Sequence, residues 1–294
     1  DSAIHIIKIL KSFRKIYPDV MVDLTIGNSR EVTNAIRNYD AEIGVIGSPV
    51  ALPDEQGAWQ DYIAMKADDL FVLPGLVPWS QLAVSILNPL TAWRLLTDFE
   101  YLKQGDFVIQ NAGNSAVGLS VLQFARKLGV RLVSLVRSED RKNELVKFGA
   151  DEVWIDDDDV PGRIAELTKG KGCSLALNSI GGRSALRLAK CLTEGGVHVT
   201  FGAMDGSPIR FPTRSLIFDD IRFVGFWLDK WRRGRSHADL VKAVEEVLQP
   251  LALTEVSHPV DAVFSLEDFE KALERNSQSR MGKVLLARDC ETLD

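Results

Sequence analysis

The amino-acid sequence predicts a doubly wound α/β fold, in which helices cover both faces of a parallel sheet. From residue 105 onward, short apolar runs alternate with helical stretches, as in a buried parallel sheet. A turn between two glycines follows the first run and opens a helix, which indicates a phosphate site at the sheet edge. The predicted strands are Phe107–Gln110, Arg131–Val136, Val153–Ile155, Leu175–Leu177, Val197–Phe201 and Arg222–Phe226.

The segments outside this regular region are less uniform. Residues 1–49 alternate between helical and strand patterns, with a first helix that ends at Pro18. Ser265 and Asp268 are expected to open a late helix as a capping box. The remaining predicted elements are β segments at 58–64 and 70–73, helices at about 79–98, 237–249 and 265–275, and a last strand at Gly282–Ala287.

The composition is that of a globular protein and argues against several classes of partner. The chain has 294 residues, of which 46% are hydrophobic and 26% charged. No apolar run approaches the roughly 18 residues that span a bilayer, so we expect no membrane contact. The net charge of -6 argues against nucleic acid as the main partner.

The cysteines and histidines predict neither a disulfide framework nor a metal site. Cys173, Cys191 and Cys290 are scattered, which is typical of a reducing compartment. No Cys-x-x-Cys pair and no His-Glu-x-x-His motif occurs, so we expect no zinc. The first residues lack the small-residue cleavage site of a signal peptide, and we therefore predict a cytoplasmic location.

The turn after the first strand of the sheet carries the sharpest functional signal. Gly113, Ser115 and Gly118 form a Gly-x-Ser-x-x-Gly pattern, which is a dinucleotide fingerprint with serine at the middle position. We expect Gly113 to permit a tight turn and Gly118 to let helix and strand approach closely. The Ser115 hydroxyl can donate to a phosphate oxygen. A bland glycine turn is the alternative, but the strand-turn-helix context favours nucleotide binding.

The end of the second strand predicts which dinucleotide is bound. Enzymes that select NAD usually carry an acidic residue there, about 20 residues beyond the fingerprint, for the ribose 2′-hydroxyl. This chain has Arg137 and Ser138 instead. Because a guanidinium matches a 2′-phosphate in charge and geometry, we predict NADPH. The alternative is that Arg137 is an ordinary solvated arginine.

Six segments make a resemblance to a known family specific. They are ALPDEQGAWQDYIA, LNPLTAWRLLTDFEYLKQGDFVIQNAGNSAVG, LALNSIGG, VTFGAMDGSP, SLIFDDIRFVGFWLDKW and GKVLLA. On these segments, residues 51–287 resemble the zinc-free branch of the medium-chain dehydrogenase/reductase superfamily, and most closely the mitochondrial-type 2-enoyl thioester reductases. The resemblance implies a Rossmann-type NADP-binding domain at 86–252. It also implies the remnant of a GroES-like β domain at 50–85 and 253–294.

The resemblance further implies which residues hold NADPH. Residues of the turn would cradle the pyrophosphate, and those after the second strand would lie at the 2′-phosphate. Asn88 and a loop after the fifth strand would face the nicotinamide, and a late lysine would reach the cofactor. An aromatic segment would offer its backbone to the carboxamide and form a wall of the acyl pocket. The implied residues are Asn88, Asn114, Ser115, Ala116, Val117, Arg137, Ser138, Glu139, Phe201, Gly202, Ala203, Met204, Phe226, Trp227, Leu228 and Lys283. Plain structural roles are the alternative for Asn88, Phe226, Trp227 and Lys283.

The resemblance implies a catalytic tyrosine in an N-terminal domain, and no tyrosine of this sequence stands in that motif. We therefore assign no catalytic residue and expect weak or no turnover. Residues 1–49 instead resemble the start of a LysR-type effector-binding domain, in LKSFRKIYPDVMVDLTIGNSREVTNAIRNYDAEIGVIG. A natural fusion, an engineered chimera and a mistaken gene model are all compatible with this arrangement.

Four functional hypotheses follow. The first is an NADPH-dependent enoyl thioester reductase, which transfers hydride to the β carbon of a 2-enoyl thioester before protonation at the α carbon. Quinone reduction and NADPH binding without turnover are the alternatives, and a transcription regulator ranks last. A homodimer formed through Arg222–Phe226 is expected from the resemblance.

Overall fold

The computed structural model describes residues 15, 50–51, 71–73 and 77–287. The backbone contacts divide the chain into Asp1–Gly75 and Leu76–Asp294. In the first unit, strand β1 (Val50–Ala51) pairs antiparallel with β2 (Phe71–Val72). Apart from Lys15, which is helical, the predicted elements of residues 1–49 lie outside the described residues, as does the β segment at 58–64.

The second unit is built on a six-stranded parallel sheet, which confirms the predicted fold class. The strand order is β5-β4-β3-β6-β7-β8, so the chain winds outward in both directions from β3. The strands are β3 (Phe107–Gln110), β4 (Arg131–Val136), β5 (Glu152–Ile155), β6 (Cys173–Asn178), β7 (Leu192–Thr200) and β8 (Arg222–Gly225).

The helices of this unit lie between and after the strands. They are α1 (Trp79–Ser85), α2 (Leu87–Thr97), α3 (Ala116–Leu128), α4 (Glu139–Lys147), α5 (Val160–Leu167), α6 (Gly182–Ala189), α7 (Thr213–Ile217), α8 (Leu228–Arg232), α9 (His237–Ala252) and α10 (Phe269–Ser277). A separate parallel pair joins β9 (Val260–Ser265) to β10 (Lys283–Ala287). None of the helices in the described residues is long and apolar enough to cross a membrane.

The strand predictions hold, and the main error is the start of β7. The sequence predicts this strand from Val197, whereas it begins at Leu192, which pairs with Cys173. The first four residues of β7 are not fully buried and do not form an apolar run, so the sequence carries no strand signal there. A register shift between Cys173 and Leu175 accommodates it.

Two helices also differ from the prediction. The single helix expected over 79–98 is divided at Ile86, since Pro89 has no amide to donate and fits only the first turn of a new helix. The capping box expected at Ser265 lies outside its helix, because Ser265 is the last residue of β9. Its Oγ still accepts from the Asp268 amide at 3.2 Å, and α10 begins at Phe269.

Mainly apolar side chains pack on both faces of the sheet. Leu95, Val121, Phe124 and Ala125 are buried where α2 and α3 pack together. Another cluster fills the opposite face, and its buried members are Ile109, Val133, Leu135, Val160, Ile164, Cys173, Ala176, Leu188 and Cys191. Both faces of the sheet are therefore covered, as expected for parallel strands.

Candidate functional site

The turn between β3 and α3 depends on small residues, but not in the way the sequence suggested. The residue of the turn with positive φ is Ala112, at 48°, and not a glycine. Gly113 is needed for space, because a Cβ there would lie 2.7 Å from Cβ of Ser134. A Cβ on Gly118 would lie 2.5 Å from the Gly113 carbonyl oxygen, which confirms the expected close approach.

The N-terminus of α3 presents unpaired amides. Ser115 caps the helix, and its Oγ accepts from the Gly118 amide at 3.1 Å. The amides of Ala116 and Val117 find no acceptor in residues 77–287, as expected for the first turn of a helix. Together with the helix dipole, they favour an anion at this point. Asn114 precedes them and is half-buried.

Gln110, which sequence reasoning missed, fastens this helix to the sheet. Its side-chain amide is buried and donates to the Gly118 carbonyl at 3.1 Å and to the Ser134 Oγ at 3.0 Å. The turn is closed further by the amide of Gly113, which donates to the Leu135 carbonyl at 2.9 Å. The signal in the sequence was a glutamine at the end of an otherwise apolar strand.

The segment after β4 lies one strand away from the turn. Ser138 caps α4, where its Oγ accepts from the Arg141 amide at 3.5 Å. Glu139 is exposed and its carboxylate lies 3.5 Å from Nζ of Lys142. The Arg137 side chain is exposed and has no acidic partner in the described part of the chain. It is therefore free to meet an anion in solvent.

Three predicted residues from distant parts of the chain line one narrow cavity. Asn88 in α2, Ala116 in α3 and Lys283 in β10 share its wall with His258. Asn88 lies in the first turn of α2. Burial, and to a smaller extent the Arg280 charge, hold the pKa of Lys283 below its usual value.

His258 was not predicted as a site residue. Gln81 fixes its backbone through two hydrogen bonds, accepting from the amide at 2.8 Å and donating to the carbonyl at 2.9 Å. Its Nε2 is buried without a partner in the described residues. Burial lowers the pKa of His258 to about 4, so the ring is neutral at pH 7.

The loop Phe201–Met204 is held against the end of β6. The amide of Phe201 donates to the Asn178 carbonyl at 2.9 Å, and that of Met204 to the Ser179 carbonyl at 3.0 Å. A Cβ on Gly202 would lie 2.9 Å from the Ser179 carbonyl oxygen, so only glycine fits without a shift. Ala203 and Met204 are exposed, and Met204 keeps 67% of its surface in solvent.

The predicted aromatic segment is divided between core and surface. Phe226 is buried edge-to-face against Phe99, with ring centroids 5.6 Å apart, and Leu228 is also buried. Trp227 between them is 60% exposed. No hydrogen bond or ring contact among the described residues joins this segment to the turn at 112–118.

Comparisons with known proteins place these features in context. A family model described as zinc-binding dehydrogenase matches residues 116–247. The chain is 40% identical over 236 residues to a mitochondrial enoyl-[acyl-carrier-protein] reductase of Caenorhabditis elegans, covering 76% of this chain and 66% of the relative. It is 32% identical over 238 residues to the protein of the same name from Dictyostelium discoideum, covering 78% and 67%.

Among solved structures, the chain resembles Escherichia coli quinone oxidoreductase complexed with NADPH. The TM-score is 0.67 at 26% identity, and the match covers 76% of this chain and 69% of the other. The chain spans about two thirds of the length of the curated relatives it matches. Within the described residues, no three His, Cys, Asp or Glu side chains are grouped as metal ligands, so these residues do not fit a zinc ion.

Proposed function

The chain belongs to the medium-chain dehydrogenase/reductase superfamily and, within it, to the family of mitochondrial enoyl-[acyl-carrier-protein] reductases, and from this premise we propose that it is an NADPH-dependent oxidoreductase acting on 2-enoyl thioesters. The observation that carries the proposal concerns the described residues, in which the amides of Ala116 and Val117 find no acceptor and the Arg137 guanidinium, one strand away, has no acidic partner. Amides at a helix N-terminus bind pyrophosphate, and a guanidinium binds a 2′-phosphate.

The fit to NADPH is supported by space as well as by charge. At Gly113 and Gly118 a Cβ would meet neighbouring atoms within 2.7 Å, so helix and strand are as close as backbone allows. That approach leaves the amides of Ala116 and Val117 at the surface of the turn. Ser138 and Glu139 would flank the 2′-phosphate, and Arg137 would neutralise it.

The nicotinamide would lie between the cavity and the loop after β7. Asn88 and Lys283 line that cavity and would orient the carboxamide and ribose, with Phe201–Met204 along the other side. When bound, NADPH supplies the hydride for the β carbon of the enoyl group. Phe226 and Leu228 hold the backbone of their segment through burial, and exposed Trp227 would pack against the acyl chain. No residue of the chain is assigned as a catalytic acid.

Two other activities stay as alternatives. Quinone reduction is favoured by the structural likeness to a quinone oxidoreductase complexed with NADPH, and it needs less specific acid chemistry. Binding of NADPH without turnover is favoured by the lack of an assigned catalytic residue. Measuring NADPH oxidation with crotonyl-CoA and with a quinone, beside NADPH-dependent thermal stabilisation, separates the three.

We expect stabilisation by NADPH with slow but measurable oxidation of NADPH on crotonyl-CoA. Turnover of the quinone alone would select the first alternative, and stabilisation without any turnover would select the second. Fast oxidation of NADPH on crotonyl-CoA would contradict the expected slow turnover.

The proposal extends to assembly and location. Strand β8 pairs only with β7 in the described sheets, and a second copy could pair with its other edge as a homodimer, which light scattering tests. Two buried free thiols, Cys173 and Cys191, suit a reducing compartment such as the cytoplasm. The relatives are named as mitochondrial proteins, and imaging of the tagged chain decides between the two locations.

We also propose that residues 1–49 are a LysR-like segment that takes no part in NADPH binding. All the proposed NADPH residues lie between Asn88 and Lys283. Deletion of residues 1–49 should therefore leave NADPH affinity unchanged, and a large loss of affinity would show that this segment takes part in the site.

A further inference from the structure

Polar side chains at the ends of four strands form one hydrogen-bonded network next to the proposed NADPH site. Asn111 follows β3, Asn178 ends β6 and Asp156 follows β5, while Thr200 ends β7. Asn111 and Asn178 are both nearly inaccessible, at 2% and 0% exposure. A buried amide side chain is costly unless its donors and acceptor are satisfied, so their partners are informative.

Asn111 uses both donors and its acceptor. Its Nδ2 donates to Oδ1 of Asn178 and to Oγ of Ser184, each at 2.8 Å. Its Oδ1 accepts from the Ser179 amide at 2.8 Å. The Ser184 Oγ in turn donates to the Asp156 carboxylate at 2.5 Å, and that carboxylate also accepts from Nε of Arg187 at 2.7 Å.

Asn178 continues the network toward the loop after β7. Its Oδ1 also accepts from the amides of Ile180 and Gly181, and its Nδ2 donates to Oγ1 of Thr200 at 3.1 Å. The backbone carbonyl of Asn178 receives the Phe201 amide. Ser179, which Asn111 holds by its amide, receives the amide of Met204. Asn111 is therefore one residue from the turn at 112–118 and two hydrogen bonds from the loop 201–204, through Ser179.

We infer that Asn111 is a positioning residue that fixes the phosphate turn against the loop Phe201–Met204, so that the two ends of one NADPH molecule are bound in register. This inference rests on the proposed function and assigns Asn111 no contact with the cofactor. The turn itself has independent support, from the Gly113 amide on Leu135 and from the Ser115 amide on Ala112. Loss of the Asn111 side chain should therefore uncouple the two ends without abolishing the phosphate site.

The experiment compares NADPH with a fragment that reaches only one end. The fragment is 2′-phospho-ADP-ribose, which carries the 2′-phosphate and pyrophosphate but no nicotinamide. For Asn111→Ala in the full chain, calorimetry should show NADPH affinity reduced about tenfold, with fragment affinity within about twofold of the unaltered chain. Asn143→Ala, on the exposed surface of α4, is the matched control and should change neither affinity.

A double-mutant cycle sharpens the assignment. Asn178→Ala alone should reproduce the selective loss, and the double variant should bind NADPH no more weakly than the worse single variant, because both residues act in one connection. Where Asn111→Ala does not fold, Asn111→Ser takes its place, since its hydroxyl can still accept from the Ser179 amide. Asn111→Ser should also restore part of the lost NADPH affinity where both variants fold.

The outcomes distinguish the inference from its premise. Equal weakening of NADPH and fragment, or weakening of neither, overturns the positioning role of Asn111. Failure of the unaltered chain to bind either ligand overturns the proposed function instead, and the positioning role with it. A selective loss of NADPH affinity in the variants supports both.

Discussion

The turn at 111–118 and the segment Phe226–Arg235 form two ends of the proposed site and are built in opposite ways. In the turn, atoms pack so closely that a single added methyl collides, and the buried side chains of Gln110 and Asn111 at its start are hydrogen bonded. In the segment, Trp227 precedes the short helix α8, and its indole is 60% exposed. The Arg233 guanidinium lies 5.2 Å from the centroid of the Trp227 ring, and that of Arg235 lies 3.8 Å from the centroid of the Trp231 ring.

The difference separates affinity from selectivity. A preformed turn binds its ligand without first paying for order, so the cofactor's affinity should come mainly from that end. Binding free energy is gained when a ligand covers an exposed aromatic side chain. The segment should therefore contribute more to the affinity for an apolar substrate than to the affinity for NADPH. Substitutions at the two ends should therefore produce separable effects.

The largest effect is expected at Gly118. Gly118→Ala places a Cβ 2.5 Å from the Gly113 carbonyl oxygen, which forces α3 away from the turn. We expect NADPH affinity to fall by about a hundredfold or more by calorimetry. Gly162→Ala on α5 is the control, because a Cβ there meets nothing within 4 Å. Unchanged binding in Gly118→Ala would show that the close approach is not required.

The second effect is a loss of stability in mild acid. Burial lowers the pKa of both His198 and His258 to about 4. The unfolded chain binds protons near pH 6.5 and the folded chain does not, so stability is lost as pH falls from 6.5 toward 4. Between pH 7 and 5.5 each imidazole should cost about 1 kcal/mol.

The measurement is the urea midpoint at those two pH values. His258→Gln should remove roughly half of the acid-induced shift contributed by the two imidazoles, and His198→Gln should remove a similar share. An unchanged pH dependence in both variants would contradict the assignment of this acid sensitivity to the buried histidines.

A third effect tests cofactor choice at the turn end of the site. Arg137→Ala should weaken NADPH binding about tenfold while leaving NADH binding nearly unchanged, because only NADPH carries the 2′-phosphate. Lys147→Ala removes a like charge from the far end of α4 and should not alter the ratio of the two affinities. Equal losses for NADPH and NADH would place Arg137 outside the 2′-phosphate site.

The smallest effect on the cofactor is expected in the aromatic segment. Trp227→Ala should change NADPH affinity by less than about twofold, because the indole is exposed and absent from the turn. In any assay with turnover, it should raise KM for an apolar substrate. A large loss of NADPH affinity would remove the distinction between the two ends.

The strands and the phosphate turn were predictable because their signals are local. Strands that are buried on both faces are nearly continuous apolar runs, which the sequence shows directly. The bounds of β3 and β4 match the prediction residue for residue. The fingerprint located the turn before α3 for the same reason, whereas the role of Ser115 as the helix cap was not predicted. The start of β7 was missed because its first residues are polar and take their strand conformation from pairing with β6.

The missing parts of the site depend on distant partners. Asn111 and Asn178 are separated by 67 positions and His258 is held by Gln81 across 177 positions, so no local pattern reveals either. Ala112, and not Gly113, takes the left-handed conformation. Gly113 must be small for another reason, which is its contact with Ser134 in the neighbouring strand. Each of these features follows from packing between elements.

The most direct test of the central claim is a calorimetric titration of the folded chain with NADPH and, separately, with NADH. Saturable binding of NADPH, tighter than NADH by about tenfold or more, is the predicted result. Folded protein, verified by circular dichroism, that releases no heat with NADPH and gains no thermal stability from it would contradict the account.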